Sequence, residues 1–352
     1  MPVDSHVVKK LLDKLTNMMK MKTSLKRMTT CGLVAWMSLW VGFAHAQLNS
    51  NANANAYPNR PIKLVVPFVP GGTLDVVARL LGKNLSETFG QAVIVDNKAG
   101  AGGVVGVDYV AKSNPDGYTL VLNSATPMVT VVSLQKTPYD LLRDLTPVSQ
   151  VSTFDYVLSV NAKSGIQSMQ ELVQLAKKQP GKLNYSSAGT GSGQHMYMEL
   201  AKSVAGIQLQ HIPYKGNGPA MQALLAGEVD LIFDTTLGIL PQVQGGKLKP
   251  LMTSSSKPIN ALQGVPTIES LYPGSSIQGW HGIFAPAATP KEVVSFLAEA
   301  IKKAVNGHEM GSKLKELGLE PSGMGPDAFF DAVKKDQERW GRVIRENNIK
   351  AD

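Results

Sequence analysis

The chain has 352 residues, 43% hydrophobic and 18% charged, a balance that excludes a wholly disordered or collagen-like protein. No stretch reaches the roughly 20 apolar residues that a membrane-spanning helix needs, which excludes an integral membrane transporter. Cys31 is the single cysteine, so neither a disulfide framework nor a cysteine zinc site can form. The formal net charge is +8, but residues 1–46, with seven basic and two acidic residues, supply +5. The rest lacks the basic excess of a nucleic-acid-binding domain, so we expect no nucleic-acid partner.

Residues 1–46 have the layout of a secretory signal peptide. Three basic residues within 22–27 precede an uncharged apolar stretch at 31–46, which closes with Ala44-His45-Ala46, a cleavage pattern before Gln47. Residues 47–56 form an Asn/Ala spacer with little to bury. The alternative is an uncleaved anchor, which the short apolar stretch disfavours. The pattern predicts export to the periplasm. The candidate start residues are Met1, Met18, Met19 and Met21.

From residue 57 onward, apolar β-branched runs alternate with segments of helical periodicity. The predicted strands are 62–68, 92–97, 117–124, 157–160, 183–187, 209–214 and 229–234. The predicted helices include 75–89, 169–178, 195–205, 219–226 and roughly 326–346. Repeated β-α-β units predict an α/β protein with parallel-rich sheets and helices on both faces.

Two segments, 148–154 and 276–287, are candidate crossovers between two lobes. If both cross, residues 57–154 and 281–352 form the first lobe and residues 155–280 the second. The two lobes would then be joined by two strands, with a cleft between them. Ligands of open α/β sheets bind beyond the carboxyl ends of the strands, so we expect the site there.

The loop after the first predicted strand is the first candidate binding element. The strand ends at Phe68, Pro70 turns the chain, and Gly71-Gly72 remove side chains just before a helix whose first turn contains Asp75. Glycines at a helix N-terminus let an anion approach backbone N–H groups. The alternative is a plain tight turn with a helix cap.

A second strand-to-helix loop, 186–195, combines four hydroxyl groups, three glycines and a histidine. This composition predicts a cluster of neutral hydrogen-bond donors, and the alternative is a flexible loop. Ser124 and Thr126 lie at another strand end, as does Asp234, whose alternative role is a helix cap. Such donors facing each other across a cleft favour a small anionic ligand.

Other chemistries find little support. The glycine-rich segments miss the G-x-G-x-x-G spacing, and neither a P-loop nor an H-E-x-x-H motif occurs, so we expect no cofactor and no metal. No G-x-S-x-G elbow occurs. A hydrolase using Ser192 and His195 stays open as a minor alternative, since the two residues are three apart at a helix start.

Several separated blocks carry a resemblance to a known family. They include YPNRPIKLVVPFVPGGTLDVVARLL, NKAGAGGVVGVDYVAKSNPDGYTL, GKLNYSSAGTGSGQHM, HIPYKGNGPAMQALLAGEVDLIFDT and WGRVIRENNIK. In this order they resemble the substrate-binding receptors of tripartite tricarboxylate transporters, the Bug family, over about residues 57–352. The resemblance implies a two-lobed periplasmic binding-protein fold, type II-like with a two-strand hinge. It also implies that the protein is not an enzyme. It also implies closure on a small organic acid and delivery to inner-membrane transporter subunits.

The resemblance also implies where the ligand binds. With the reasoning above, the predicted ligand-binding residues are Phe68, Pro70, Gly71, Gly72, Asp75, Ser124, Thr126, Ser187, Gly189, Thr190, Ser192, Gln194, His195 and Asp234. We expect a monomer. The alternative function is a sensory module that reports ligand occupancy to a membrane signalling partner. The sequence does not separate it from a transport receptor, because both bind the ligand in the same way. The sequence does not identify the acid.

Overall fold

Two β-sheets organise residues 57–350, the part of the chain that this computed structural model describes. The strands, numbered in chain order, are β1 (Ile62–Val66), β2 (Val93–Asn97), β3 (Thr119–Ser124), β4 (Leu145–Phe154), β5 (Tyr156–Asn161), β6 (Asn184–Ser187), β7 (Gln210–Pro213), β8 (Leu231–Thr235), β9 (Leu248–Thr253), β10 (Gly279–Pro286) and β11 (Glu320–Met324). The first sheet has the order β11-β4-β10-β3-β1-β2, and the second has the order β7-β6-β8-β5-β9. The predicted signal peptide and spacer lie outside the described residues.

Each sheet is mixed. In the first, β1 pairs in parallel with β2 and β3, whereas β10 runs antiparallel to β3 and β4, and β11 antiparallel to β4. In the second, β6 is parallel to β7 and β8, whereas β5 is antiparallel to β8 and β9. The parallel pairs come from the β-α-β units that the sequence predicted. The antiparallel pairs come from strands at the crossovers and at the C-terminal end, where no such unit constrains direction.

Helices flank both sheets. Those beside the first sheet are α1 (Thr73–Phe89), α2 (Val104–Ala111), α3 (Ala125–Leu134), α4 (Leu141–Asp144), α10 (Lys291–Asn306), α11 (His308–Glu316) and α12 (Pro326–Glu346). The helices between β5 and β10 are α5 (Met169–Lys178), α6 (Gly193–Ala205), α7 (Asn217–Ala226), α8 (Thr236–Gln244) and α9 (Ile268–Leu271). Within residues 57–350, no helix combines the length and apolar composition needed to cross a bilayer.

The helix α1 shows why these segments fold as they do. Its apolar residues recur every three or four positions, so Val77, Leu81 and Leu85 form one buried stripe against β1 and β2. It ends at Gly90, which adopts a left-handed φ of 63° and donates its N–H to the carbonyl of Ser86. The first strand, β1, is almost wholly buried, as its continuous apolar run predicted.

The connection between the sheets is short. Asp155 alone separates β4 of the first sheet from β5 of the second, and residues 254–278 lead back from β9 to β10. The return strand β10 begins at Gly279, two residues before the predicted lobe boundary. Side chains also connect elements beside the two sheets, since Trp340 of α12 meets Tyr197 of α6 edge-on with ring centroids 5.0 Å apart. Residues from Arg60 onward form one compact unit, and the lobe division stays a prediction.

Candidate functional site

A cavity of about 440 Å³ lies where α3 of the first sheet faces the loop between β6 and α6 of the second. Its other wall comes from the loop after β1 and from the turn before α2. The lining residues are Phe68, Ala101, Gly102, Pro127, Thr130, Val131, Leu134, Gln135, Ala188, Thr190, Gly191 and Ser192. Two of the loops singled out in the sequence, after β1 and after β6, therefore share one cavity.

The loop after β1 is held from behind by Asp75. Gly71, with φ of 93°, donates its N–H to Asp75 Oδ2 at 3.0 Å. The Arg79 guanidinium binds both carboxylate oxygens of Asp75, at 2.9 and 3.0 Å, and Asn97 Nδ2 donates to Oδ1 at 3.0 Å. Hydrogen bonds from Arg79, above all, and from Gly71 and Asn97 lower the pKa of Asp75 to about 2, against the opposing effect of burial. Asp75 thus fixes the shape of the loop, and its oxygens are engaged within the protein.

Gly72 is the N-cap of α1 and has ordinary extended dihedrals, φ −80° and ψ 168°, with no side-chain cap. A Cβ at this position would meet no atom within 4 Å. The first N–H groups of a helix lack partners within the helix, so those after Gly72 stay available to an anion. The fold itself tolerates a side chain at Gly72, unlike at Gly71, where the positive φ favours glycine.

In the loop between β6 and α6, several hydrogen-bond donors are bonded to acceptors of the same segment. Ser187 Oγ accepts from the N–H of Gly189 and lies 2.6 Å from His211 Nε2. The N–H of Gly191 donates to His195 Nδ1 at 3.0 Å, and Ser192 Oγ caps α6 by accepting from the N–H of His195 at 3.4 Å. Three of the predicted ligand contacts, Ser187, Gly189 and His195, therefore shape this loop. Thr190 and Ser192 line the cavity.

A polar stack supports the loop from below. His195 and His211 stack almost parallel, with centroids 4.1 Å apart, and Tyr185 stacks on His211 at 4.9 Å. Tyr185 donates its hydroxyl to Glu199 Oε1 at 2.5 Å, and Lys202 Nζ pairs with the same oxygen at 2.6 Å. The stack explains why a histidine lies at the start of α6, because its ring accepts the N–H of Gly191 in the loop and packs on His211.

Tyr156, the first residue of β5, lies one residue after the end of the link from the first sheet to the second. Its hydroxyl is hydrogen-bonded to Thr126 of α3, and its ring stacks on Tyr197 of α6 at 4.0 Å. A Cβ on Gly193 would lie 2.7 Å from Tyr156 Cζ and closer still to its hydroxyl. Gly193 is therefore required by this close approach. Sequence reasoning missed Tyr156, since only the fold brings it beside Thr126.

Asp234 and Gln194 form a buried polar pair near this point. Burial raises the pKa of Asp234, while the neighbouring amide of Gln194 and hydrogen bonding from Thr235 oppose the shift. Thr235 donates its backbone N–H to Asp234 Oδ1 at 2.7 Å. The amide of Gln194 faces this carboxyl, but neither amide atom makes a well-aligned hydrogen bond to another described residue. Buried amides normally have a hydrogen-bond partner, and an ordered water commonly supplies it where the protein does not.

Of the fourteen predicted residues, Phe68, Thr190 and Ser192 line the cavity. Ser124 caps α3 without a side-chain hydrogen bond, and Pro70, Gly71 and Gly72 are exposed at the start of α1. Of the other seven, Ser187 and Gly189 belong to the end of β6 and the loop that follows it, and the side chains of the rest are buried; they are Asp75, Thr126, Gln194, His195 and Asp234. Sequence reasoning missed the cavity wall formed by α3 and the turn at 101–102. The AGAGG segment was the available signal for that turn.

Neither metal nor hydrolytic chemistry is assembled in the described part of the chain. Residues 57–350 hold no group of three His, Cys, Asp or Glu side chains placed to bind a metal ion. Ser192 Oγ accepts from the backbone of His195, and His195 Nδ1 accepts from the backbone of Gly191. These bonds describe a helix cap.

Comparison with known proteins identifies the same architecture. Residues 77–349 match the tripartite tricarboxylate transporter family receptor model, TctC. The periplasmic binding protein BugD is 33% identical, with a TM-score of 0.71 over 84% of this chain and 100% of its own. The R. palustris protein Rpa4515 with adipate is 32% identical, with a TM-score of 0.73 over 84% of this chain and 99% of its own. MatC from Rhodopseudomonas palustris with bound malate is 30% identical, with a TM-score of 0.71 over 82% and 100%.

These similarities confirm the predicted α/β binding-protein fold with two sheets and flanking helices. They also exclude the hydrolase alternative, because the family and its solved members are solute-binding receptors rather than enzymes. BugD, one of these members, is a periplasmic binding protein. The chain belongs to the tripartite tricarboxylate transporter receptor family, also called the Bug family.

Proposed function

We propose that this protein is an exported receptor that binds a small carboxylate-bearing solute between its two halves and delivers it to the membrane subunits of a tripartite tricarboxylate-type transporter. The supporting observation is the cavity shared by Phe68 of the first half with Thr190 and Ser192 of the second. A ligand there touches both halves at once, so binding favours the arrangement in which they are close together. The adipate and malate carried by two solved relatives support a carboxylate ligand.

The polarity of the site supports an anion. The N-caps of α1 and α3, Gly72 and Ser124, make no side-chain cap, so the first N–H groups of α1, and those of Ala125 and Thr126 in α3, are not bonded by a capping side chain. A carboxylate is stabilised there by these N–H groups and by the helix dipole. Asp75 contributes indirectly: by binding the N–H of Gly71 and by pairing with Arg79, it holds the loop open for the ligand.

The remaining parts of the proposal follow from the sequence. A signal peptide over residues 1–46, cleaved before Gln47, directs the protein to the periplasm, where it acts as a monomer of two lobes. The direct ligand contacts are expected among the predicted residues at the cavity and at the helix starts, with the others positioning them. A sensory role has the same binding step, and measuring uptake of the identified solute after deletion of the gene separates transport from sensing.

Isothermal titration calorimetry with mono-, di- and tricarboxylates tests binding, and Gly72→Val tests its location. The valine side chain blocks approach of a carboxylate to the first turn of α1, so we expect affinity to fall at least tenfold. Gly325→Val is the matched control, because Gly325 is also an N-cap with extended dihedrals, φ −74° and ψ 174°, and open space at its Cβ. Saturable binding by none of the acids would refute the proposed function. Equal affinities of the two variants would remove the loop after β1 from the site.

A further inference from the structure

One tyrosine hydroxyl lies between the starts of two helices that flank the cavity. The hydroxyl of Tyr156 is hydrogen-bonded to Thr126 in the first turn of α3. It also lies against Gly193, the first residue of α6, where a Cβ would overlap it. The helix α3 packs beside β3 and β10 of the first sheet, and α6 packs beside β8 of the second. A single side chain therefore contacts two helix starts that lie beside different sheets.

Both helix starts continue directly into the cavity wall. The carbonyl of Thr126 accepts from the hydroxyl of Thr130, which lines the cavity one turn further along α3. Gly193 follows Ser192, which lines the cavity and caps α6. Under the proposed function, the N–H of Thr126 is also one of those that the carboxylate meets. Tyr156 is 7% exposed and lies outside the set of lining residues, so its effect on a ligand passes through these two helices.

The position of this hydroxyl is fixed by the packing of the tyrosine ring and by the backbone. The ring of Tyr156 stacks on Tyr197 with centroids 4.0 Å apart and meets Phe233 edge-on at 6.3 Å. The backbone N–H of Tyr156 donates to Ser254 Oγ at 2.9 Å, and its carbonyl accepts from the N–H of Ser254 at 2.9 Å. Phenylalanine keeps all of these contacts, so Tyr156→Phe removes the hydroxyl and leaves the support of the ring in place.

We propose, resting on the proposed function, that Tyr156 is a positioning residue for the ligand. Its hydroxyl holds the starts of α3 and α6 at the separation at which both walls of the cavity contact the solute. A ligand that contacts two walls favours the arrangement in which they are close together. An interaction that stabilises this arrangement before the ligand arrives therefore raises the apparent affinity.

Calorimetry on the purified protein tests the role of the hydroxyl. The probe is the tightest-binding acid among acetate, succinate, malate, adipate and citrate. We expect Tyr156→Phe to weaken its binding about fivefold, which is the effect of losing one ordinary hydrogen bond. Tyr139→Phe is the matched control, because Tyr139 is also buried and its hydroxyl has no hydrogen-bond partner among the described residues. We expect this control to bind the acid as tightly as the unsubstituted protein does.

The outcomes separate this proposal from the proposed function. Unchanged affinity in Tyr156→Phe, or an equal loss in Tyr139→Phe, would overturn the positioning role and leave the proposed function intact. Saturable binding of none of the five acids by the unsubstituted protein would refute the proposed function and this proposal with it.

A double-mutant cycle tests whether the effect passes through Thr126. Thr126→Val removes the partner hydroxyl and keeps the approximate size of the side chain. We expect each single substitution to weaken binding about fivefold and the double variant to bind about as well as either one, because both remove the same hydrogen bond. Independent effects would multiply to a loss of about 25-fold, and that result would overturn the proposal. Thr126→Val leaves the tyrosine in place, so unchanged affinity in this variant would overturn it even if Tyr156→Phe failed to fold.

Discussion

Asp155 should make the stability of this protein depend on pH, because it carries a carboxyl group in the one-residue link between β4 and β5. Its side chain is hydrogen-bonded to Gln278, which precedes the return strand β10, and to Ser254. Burial, opposed by these two hydrogen bonds and reinforced by the negative charge of Glu320, raises its pKa from 3.8 to about 6. The hydroxyl group of Tyr197 on α6 donates to the carbonyl of Ile277 at 2.9 Å, and the charge of Asp155 acts on the pKa of this tyrosine.

The sign of the effect follows from proton binding. Between pH 3.8 and about 6 the folded protein keeps the proton on Asp155 while the unfolded chain has lost it. The stabilising contribution of the protonated carboxyl is complete below pH 3.8 and is lost as the pH rises through about 6. The shift corresponds to about 3 kcal/mol in the free energy of unfolding. Because the residue is partly exposed, we take this value as the upper end of the expected effect.

The perturbation is Asp155→Asn, which retains hydrogen-bonding capacity and removes the titration. Urea unfolding of both proteins at several pH values from 4 to 7, at constant ionic strength, measures the difference in unfolding free energy. We expect this difference to shift in favour of the variant by about 2–3 kcal/mol across the range. Asp331→Asn, at an exposed position on α12, provides the comparison for a surface aspartate. A difference that is independent of pH, or that shifts in favour of the unsubstituted protein, would refute the reasoning.

Two further predictions concern the supports of the site. Asp75→Asn should lower the free energy of unfolding by about 1 kcal/mol at pH 7, a value discounted because the Arg79 side chain is 54% exposed. Since the pKa of Asp75 is lowered from 3.8 to about 2, this contribution should be present above pH 3.8 and vanish as the pH falls through 2; a loss that persists there in chemical denaturation would contradict it. Gly193→Ala should destabilise the protein by about 1–3 kcal/mol, because its Cβ overlaps the Tyr156 ring. Combining it with Tyr156→Phe should recover part of the loss in urea unfolding, and a fully additive double variant would contradict that explanation.

The sequence predicts the order of strands and helices well wherever burial has a simple period. The continuous apolar run of β1 and the helical stripe of α1 are examples, because both are dictated by local patterns. It did not predict β11, whose residues, Glu320–Met324, have no apolar pattern and are placed by pairing with β4. The strand β4 itself begins at Leu145, earlier than the segment proposed as a crossover. Pairing with distant strands, not local propensity, decides such elements.

The candidate site shows a similar limit at the level of single hydrogen bonds. Composition located loops rich in glycine and serine at the ends of β1 and β6, because these residues are typical of the turns that join a strand to a helix. It could not show that the N–H groups of Gly71, Gly189 and Gly191 are taken by Asp75, Ser187 and His195. Those acceptors depend on side-chain directions that only the packed structure defines.

Because these N–H groups are already hydrogen-bonded, specificity for one acid over another must come from other parts of the site. Loops whose amide groups are already bonded cannot reorganise to accommodate each new acid without breaking those bonds, at about 1 kcal/mol or more for each. Under the proposed function, they are rigid supports that leave the N–H groups at the starts of α1 and α3 for the ligand carboxylate. Under the proposed function, discrimination between acids then falls to the side chains that line the cavity, among them Phe68, Val131 and Leu134. A receptor built in this way can change its solute by substitutions on α3 while the loops, and the arrangement of the two halves, stay as they are.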